Sequence, residues 1–325
     1  MLVAVSLAAT AAIAATACSS RRARLAVGAV AADARPALAP SDGGAATTRA
    51  AAIGAGVTVD ARAAAVAQAP AGAACDGVAR ALAPGLTRER WPVDATPAIP
   101  AEACVDLIRA DLGVLRLRVV SASRDGAARP APAWLADLDL VAAINSGMFL
   151  DGGRSVGLLI DGDHVDQPRD NAKLGGYLAF GPRVAGAPAV IIAGRDCPGF
   201  DLAALRARYR TVVQSYRLLG CDGGAIAWAD AKAYSAAAIA VDRAGRVVLV
   251  HARAPFLMRE LAAALARPAL GLVGAIFVEG GPEATVAVAG DAPLLLLGSY
   301  ETGFVEDDHN REAWALPNLI ALARR

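Results

Sequence analysis

The chain has 325 residues, with 32 basic and 31 acidic side chains and a high content of alanine and arginine. This balance of charge provides no positive field that would attract nucleic acid or an anionic membrane surface. After the N-terminal segment, no apolar run approaches the roughly 20 residues that a membrane-spanning helix needs. The composition therefore indicates neither a nucleic-acid partner nor a membrane-spanning domain.

Residues 1–18 are predicted to direct export. Leu2 to Ala17 is a run of small and apolar residues with the length of a signal peptide. No positive charge precedes the run, because the first arginine is Arg21, and the true start codon stays open. Ala15-Thr16-Ala17-Cys18 resembles a bacterial lipobox, in which Cys18 accepts the lipid. We expect an exported bacterial protein, either periplasmic or anchored to the membrane as a lipoprotein through Cys18.

Residues 19–72 are predicted to form a disordered tether. The segment is rich in alanine, contains scattered Gly, Pro, Thr and Arg, and has little to bury in a core. Residues 73–325 then form the folded part of the chain.

Within residues 73–325, the hydrophobic pattern predicts many strands and few helices. Alternating or continuous apolar runs predict strands at Val105–Arg109, Val114–Val119, Leu140–Ile144, Ser155–Ile160, Gly176–Phe180, Ala189–Ile192, Ala237–Val241, Arg246–His251, Ala275–Val278 and Ala284–Val288. Helical spacing predicts helices at Pro132–Leu138, Phe200–Tyr209 and Leu257–Ala266. This pattern predicts an α+β fold, with a mixed, largely antiparallel sheet core and a few peripheral helices in a single catalytic domain.

Three apolar runs change abruptly into polar residues, which predicts polar clusters at three strand ends. The clusters are Asn145-Ser146-Gly147, Gln214-Ser215 and Glu279-Gly280-Gly281-Pro282-Glu283. If the three strand ends lie close together in the fold, their polar side chains form a candidate binding or catalytic site.

The order of these segments resembles the phosphodiester glycosidase family. The family pattern is matched by Asn145-Ser146-Gly147-Met148-Phe149, then Val156-Gly157-Leu158, then Gln214-Ser215, and last Glu279-Gly280-Gly281, and the similarity extends from about Ala103 to Leu322. Two features depart from the pattern. The family's arginine before an Ala-Ile-Gly-Val strand is missing near Ser235, and Glu279 replaces the usual aspartate.

The resemblance implies a hydrolase that cleaves the glycosidic bond of a sugar 1-phosphodiester. The leaving group is a phosphate ester and already a weak base, so the site chiefly needs a carboxylate to activate water, neutral hydrogen-bonding groups and a cation. Glu279 is the predicted base, and Asn145 and Gln214 are predicted to assist it. Predicted substrate-binding residues are Ser146, Gly147, Ser215, Arg217, Gly280, Gly281 and Glu283.

Arg217 is the predicted phosphate ligand, because a guanidinium offers paired donors that match phosphate oxygens. No cofactor is expected. His164, His251 and His309 share no spacing typical of metal ligands, so no metal site is predicted either. The predicted partner is a carbohydrate-phosphate substrate, presumed to belong to an envelope glycopolymer or glycolipid.

Apart from Cys18, the chain has four cysteines, an even number that is compatible with two disulfides in an exported protein. The sequence permits three pairings, and four free buried thiols are the alternative. We favour Cys75–Cys104 and Cys197–Cys221, because the members of each pair lie in one region of the sequence.

Two other functions remain open. The first is a catalytically silent, lipid-tethered protein of the same fold that binds carbohydrate, which the missing arginine favours. The second is a phosphodiesterase that cuts phosphorus–oxygen bonds, although such enzymes normally use a metal cluster.

Overall fold

The computed structural model describes residues 74–229, 231–291 and 293–325. The predicted signal segment, the lipobox with Cys18 and the alanine-rich tether lie outside the described residues. In the described ranges, no helix has both the length and the hydrophobicity needed to cross a membrane.

Antiparallel strands are the commonest secondary-structure element of the described chain. In chain order they are β1 (Arg80–Ala83), β2 (Leu86–Pro92), β3 (Cys104–Ala110), β4 (Leu115–Ser121), β5 (Arg129–Pro130), β6 (Ala142–Asn145), β7 (Leu159–Asp161), β8 (His164–Gln167), β9 (Gly176–Pro182), β10 (Val190–Gly194), β11 (Tyr209–Arg217), β12 (Ala233–Asp242), β13 (Val247–Leu257), β14 (Leu272–Gly280), β15 (Thr285–Val288), β16 (Leu294–Leu297), β17 (Ala315–Leu316) and β18 (Asn318–Arg324). The helices are α1 (Ala122–Asp125), α2 (Ala131–Asp137), α3 (Leu202–Arg208) and α4 (Met258–Leu265), with 3₁₀ turns at Pro268–Leu270 and Gly281–Glu283. The α+β prediction with a largely antiparallel sheet core is confirmed.

The strands form a large sheet, a small sheet and a separate short ribbon of β5 and β17. The large sheet has the order β1-β2-β3-β13-β12-β14-β11-β7-β8, and β9 and β10 extend it beside β11. The small sheet has the order β16-β15-β6-β18-β4. All of these pairings are antiparallel.

The main core joins the two sheets. Ile108 and Leu249 of the large sheet belong to the same buried cluster as Ile144 and Ile320 of the small sheet. Because successive side chains of a strand point to opposite faces, each sheet also has a second face to cover. Leu261 of α4 belongs to the cluster on the second face of the large sheet, and Trp134 of α2 to that of the small sheet.

Short-range signals located most of these elements correctly. Asp201 caps α3 by accepting hydrogen bonds from the backbone of Ala203 and Ala204, as its position before the helical spacing predicts. Asp161 pairs with His164 across a tight turn, which joins β7 and β8 in a hairpin.

One strand boundary differs from the prediction. β11 continues to Arg217, so Gln214 and Ser215 lie inside the strand and not at its end. The prediction of a strand end at Gln214 is therefore wrong, because pairing with β9 through Ser215 and with β14 at Tyr216 and Arg217 continues the strand through the polar residues.

Both predicted disulfides are present. Cys75 is bonded to Cys104 and Cys197 to Cys221, with Cα–Cα distances of 6.0 and 5.6 Å. The first attaches the segment before β1 to the start of β3, and the second closes a loop that contains α3 and β11.

Candidate functional site

Three glutamates line one cleft beside the ends of β6 and β14. The cleft has a volume of about 1130 Å³, and Glu279, Glu283 and Glu301 all contribute to its wall. The sequence predicts the first two. Glu301, in the segment after β16, is the third carboxylate and was not predicted.

A β-bulge sets the direction of the Glu279 side chain. Ala238 of β12 pairs with Phe277, but its neighbour Ala237 pairs with Glu279, so β14 carries one extra residue, Val278. A bulge of this kind bends a strand and redirects the side chain that follows it. Glu279 is 7% exposed, and its Oε1 accepts a hydrogen bond from the backbone N–H of Gly280 at 3.1 Å.

Gly281 lets two carboxylates approach the same point. Its φ angle of 66° lies in the left-handed region that favours glycine. A Cβ atom at this position would lie 2.8 Å from Oε2 of Glu301 and 3.5 Å from Oε2 of Glu283. The two oxygens are therefore no farther apart than the sum of these distances, so the carboxylates of Glu283 and Glu301 lie close together.

Asn145 connects the end of β6 to the segment that carries Glu283. Its Nδ2 donates to the backbone oxygen of Glu283 at 3.0 Å, and its Oδ1 accepts from the backbone N–H of Thr285 at 2.8 Å. The structure thus brings two of the predicted polar clusters together. Asn145 is buried and uses both ends of its amide to hold the main chain.

Ser235 holds the segment that carries Glu301. Its hydroxyl accepts hydrogen bonds from the backbone of Ser299 and Tyr300 and donates to the backbone oxygen of Arg253 at 2.6 Å. Glu301 then pairs in isolated bridges with Tyr234 and Val305. Ser235 lies near the position of the missing family arginine. In this chain, the residue there positions the segment that carries Glu301.

Another part of the cleft wall comes from the turn after β6 and from β8. In the turn, Leu150 donates its backbone N–H to the oxygen of Arg154 at 2.8 Å, and both residues line the cleft. The guanidinium of Arg154 makes no hydrogen bond or ion pair with any described residue. It is therefore a cation that faces the cleft and is available to an anionic ligand.

Asp166 of β8 fixes this wall. It accepts hydrogen bonds from the backbone of Ser155 at 2.8 Å and from the hydroxyl of Ser123 at 2.9 Å, and Ser123 Oγ lies 3.2 Å from Nε2 of His164. Ser123, His164 and Asp166 line the cleft together with Arg154. None of these four residues was predicted from the sequence.

Gln214 lies away from this wall and holds a loop. Its Oε1 accepts from the backbone of Leu158 at 3.1 Å and of Asn171 at 2.9 Å. Its Nε2 lies 2.7 Å from the oxygen of Leu174 and 2.8 Å from Oδ1 of Asp170. The whole amide is engaged within the protein, and Gln214 does not line the cleft of the three glutamates. Its catalytic role stays a prediction.

Arg217 lines a second cleft of about 490 Å³, not the cleft of the glutamates. Its guanidinium pairs with Asp196 at 2.6 Å and lies 2.9 Å from Sγ of Cys197. The side chain is thus directed toward the disulfide, away from Glu279, and the role of Arg217 as phosphate ligand stays a prediction. Arg154 is the arginine that lines the cleft.

The remaining predicted ligands are backbone neighbours of the site. Ser215 donates its hydroxyl to the backbone oxygen of Phe277. The hydroxyl of Ser146 is buried and has no partner among the described residues. Gly147 lies close to the backbone of Gln214, and Gly280 packs against Tyr234. These residues, unlike Glu279 and Glu283, do not line the cleft.

Two buried or partly buried groups near the predicted site residues have shifted pKa values, His251 and Asp170. Burial lowers the pKa of His251 to about 3, and its Nε2 lies 3.3 Å from the backbone oxygen of Ala284, next to Glu283. This imidazole is therefore neutral at physiological pH. Burial raises the pKa of the Asp170 carboxyl, but hydrogen bonds from Arg195 and Tyr177 lower it, and the net shift is downward.

Among the described residues, the groups with ligand atoms close enough for a metal ion are Cys75 with Glu102 and Cys104, and Asp196 with Cys197 and Cys221. The cysteines of both groups are in disulfides, and a disulfide sulfur is not the thiolate that binds metal. Neither group fits a metal centre.

Similarity to known proteins supports the resemblance seen in the sequence. The sequence profile of the family "Phosphodiester glycosidase" matches residues 137–323. No curated protein matches the chain in sequence.

Two solved structures are similar in fold. The catalytic domain of zebrafish N-acetylglucosamine-1-phosphodiester alpha-N-acetylglucosaminidase, auto-inhibited by its pro-peptide, has a TM-score of 0.53 and 14% identity, over 76% of this chain and 86% of that one. A hypothetical protein from Synechocystis has a TM-score of 0.47 and 17% identity, over 74% of this chain and 62% of that one. The family profile covers more than half of the chain, and the protein belongs to the phosphodiester glycosidase family.

Proposed function

We propose that the protein is an exported hydrolase that cleaves the glycosidic bond of a sugar 1-phosphodiester in an envelope glycopolymer or glycolipid. Family membership supports the reaction class. The observation that carries the proposal is the meeting of Glu283 and Glu301 over Gly281, in the cleft that Glu279 also lines. Glycosidases use paired carboxylates to stabilise an oxocarbenium-like transition state and to activate water.

Each group has a role in this proposal. Glu279, on the rigid end of β14, activates water as the general base. Glu283 and Glu301 face the sugar ring and stabilise its developing positive charge. Because the leaving phosphate ester is a weak base, no strong acid has to protonate it. Arg154 binds the phosphate through paired N–H donors.

Export is supported by the covalent structure. Two disulfides close loops of the domain, and such bonds persist in oxidising compartments outside the cytosol. The predicted lipid attachment at Cys18 remains part of the proposal.

The reaction can be tested with the purified full-length protein and a synthetic sugar 1-phosphodiester in ¹⁸O-labelled water, with and without a chelator. We expect release of free sugar that carries the label, unaffected by the chelator, because the carbon–oxygen bond breaks. Label in the phosphate and sensitivity to the chelator would instead identify a phosphodiesterase. Measurable binding without turnover would identify the silent carbohydrate-binding protein.

The phosphate ligand can be tested by comparing Arg154→Gln with Arg183→Gln. Arg183 is exposed and lies outside the cleft, so it is a matched control. Loss of a charge-assisted hydrogen bond costs about 1.5–3 kcal/mol, so KM should rise roughly 10- to 100-fold in the Arg154 variant only. Equal KM values in the two variants would show that Arg154 does not bind the phosphate.

A further inference from the structure

Exposed apolar side chains are concentrated at the candidate cleft. Leu150, Val165 and Phe304 line it, although 49%, 47% and 60% of their surfaces are exposed. Trp314, which is 38% exposed, contacts Phe304 edge to face with 6.4 Å between the ring centroids. These four make up half of the large apolar residues that the described chain exposes. We refer to Leu150, Val165, Phe304 and Trp314 as the apolar rim.

The apolar rim is assembled from separate parts of the chain. Leu150 belongs to the turn after β6, Val165 to β8, and Phe304 and Trp314 to the segment between β16 and β17. Single exposed apolar residues are ordinary, but a group that surrounds a cleft marks a binding surface. The rim is therefore a candidate contact for an apolar ligand.

The position of the rim indicates which part of a substrate it contacts. Leu150 and Arg154 belong to one turn, so a phosphate on the Arg154 guanidinium lies next to the apolar rim. The carboxylates of Glu279, Glu283 and Glu301 suit the sugar, whose hydroxyl groups need hydrogen-bond acceptors. Leucine, valine and phenylalanine offer no such acceptors, and sugar hydroxyls placed on them would lose their bonds to water.

We propose that the apolar rim binds a hydrophobic alcohol esterified to the substrate's phosphate, so that the substrate is a lipid-linked sugar phosphate. This inference rests on the proposed function and names its substrate class. The phosphate bridges the two regions, with the sugar toward Glu279, Glu283 and Glu301 and the hydrocarbon chain along Leu150, Val165 and Phe304.

The test uses ligands that lack the sugar, so it does not depend on turnover. Binding of octyl phosphate, methyl phosphate and octanol to the full-length protein is measured by calorimetry, below the micelle concentration. Each methylene group removed from water contributes about a fourfold gain in affinity. Burial of three or four of them gives a preference of roughly 60- to 250-fold for octyl over methyl phosphate. Octanol should bind more weakly than octyl phosphate, because it lacks the charge that Arg154 binds.

Two variants locate the contact. Phe304→Ser should reduce the preference for octyl phosphate at least fivefold, and Val184→Ser should leave it unchanged. Val184 is a matched control, because it is 48% exposed and lies outside the cleft. Phe304 is well exposed, so its replacement should not disturb folding, and a melting curve verifies this.

Three results would overturn the inference. The first is equal affinity for octyl and methyl phosphate, and the second is a preference that Phe304→Ser leaves intact. The third is binding to neutral phosphatidylcholine vesicles without any preference for octyl phosphate, which would make the rim a membrane contact.

The labelled-water assay reports separately on the proposed function. Turnover without a chain-length preference would reject the lipid substrate alone, and a preference without turnover would reject the hydrolase alone.

Discussion

Asn145 holds the main chain on both sides of Ala284, the residue that follows Glu283. Its amide donates to the oxygen of Glu283 and accepts from the N–H of Thr285, at 3.0 and 2.8 Å. A residue near the end of a strand in the small sheet thereby fixes a glutamate of the cleft that lies 138 positions later in the chain. The relationship gives Asn145 a positioning role that a sequence motif does not reveal.

Asn145→Ala should lower stability and activity together. It removes the side-chain acceptor of the buried Thr285 N–H, at a cost of roughly 1–3 kcal/mol, and one of the two hydrogen bonds to the oxygen of Glu283, which keeps the bond from the Thr285 hydroxyl. A shift of about 1 Å in a catalytic group can cost roughly 100-fold in rate, so kcat should fall at least tenfold. Chemical denaturation and kinetics on the same sample measure both effects. Normal stability with lost activity would mean that Asn145 contacts the substrate directly.

Glu279→Gln should abolish turnover and preserve the fold. The amide keeps the shape of the side chain but cannot act as a base, and loss of a general base costs about 10²- to 10⁴-fold in rate. Substrate should still bind, because the neutral amide repels phosphate less than a carboxylate does. Rate, affinity and melting temperature are measured on one preparation. Near wild-type turnover would make Glu279 a residue of the turn and reject its assignment as the base.

Gln214→Ala tests whether this residue holds a loop or takes part in catalysis. The substitution removes the acceptor for two backbone N–H groups, of Leu158 and Asn171, and should lower the unfolding free energy by about 2–5 kcal/mol. Activity is measured at a low temperature at which the variant remains folded. A large loss of kcat with unchanged stability would instead confirm the catalytic role predicted from the sequence.

Stability should fall in acid because of His251. Burial lowers the pKa of His251 in the folded protein to about 3, from an ordinary value of 6.5, so the unfolded chain takes up a proton first. The contribution of neutral His251 to the free energy of unfolding is complete above pH 6.5. It is lost as the pH falls toward 3, at up to about 1.36 kcal/mol per pH unit.

His251→Gln isolates this contribution. Denaturation between pH 7 and pH 4 should show a smaller decrease in stability for the variant than for the wild type. Parallel curves for the two proteins would show that His251 is not buried as a neutral group.

Local sequence patterns predicted the elements but not their contacts. Alternation of apolar and polar residues located β3 and β4, continuous apolar runs located β12 and β13, and the polar break after Ile144 located Asn145. The same patterns could not distinguish Glu301 from other acidic residues of a loop, because its place in the cleft depends on Ser235 and Gly281, which are far away in the sequence. Arg154 and Asp166 were missed for the same reason.

The separation of the Arg217 side chain from that of Gln214 has a simple geometric origin. Gln214, Ser215 and Arg217 appear as one polar cluster when they are read along the chain. In an extended strand, however, successive side chains point to opposite faces. Gln214 therefore faces Asp170 and Leu174, and Ser215 and Arg217 face elsewhere. Residues that are adjacent in a motif need not share a site when the motif lies inside a strand.

The position of β18 in the small sheet has a consequence for folding. It lies between β6 and β4, and its Asn318 pairs with Ser121 across a sequence separation of 197 residues. Until residues 318–324 arrive, β4 and β6 lack the strand that separates them and expose unpaired edges. Contacts this distant form slowly, since the chain entropy is lost before the contact energy is gained. Asn318 also donates its side-chain N–H to the oxygen of Gly153 in the cleft wall at 3.0 Å, so this part of the cleft forms late in folding, and the edges of β4 and β6 stay open to aggregation until then.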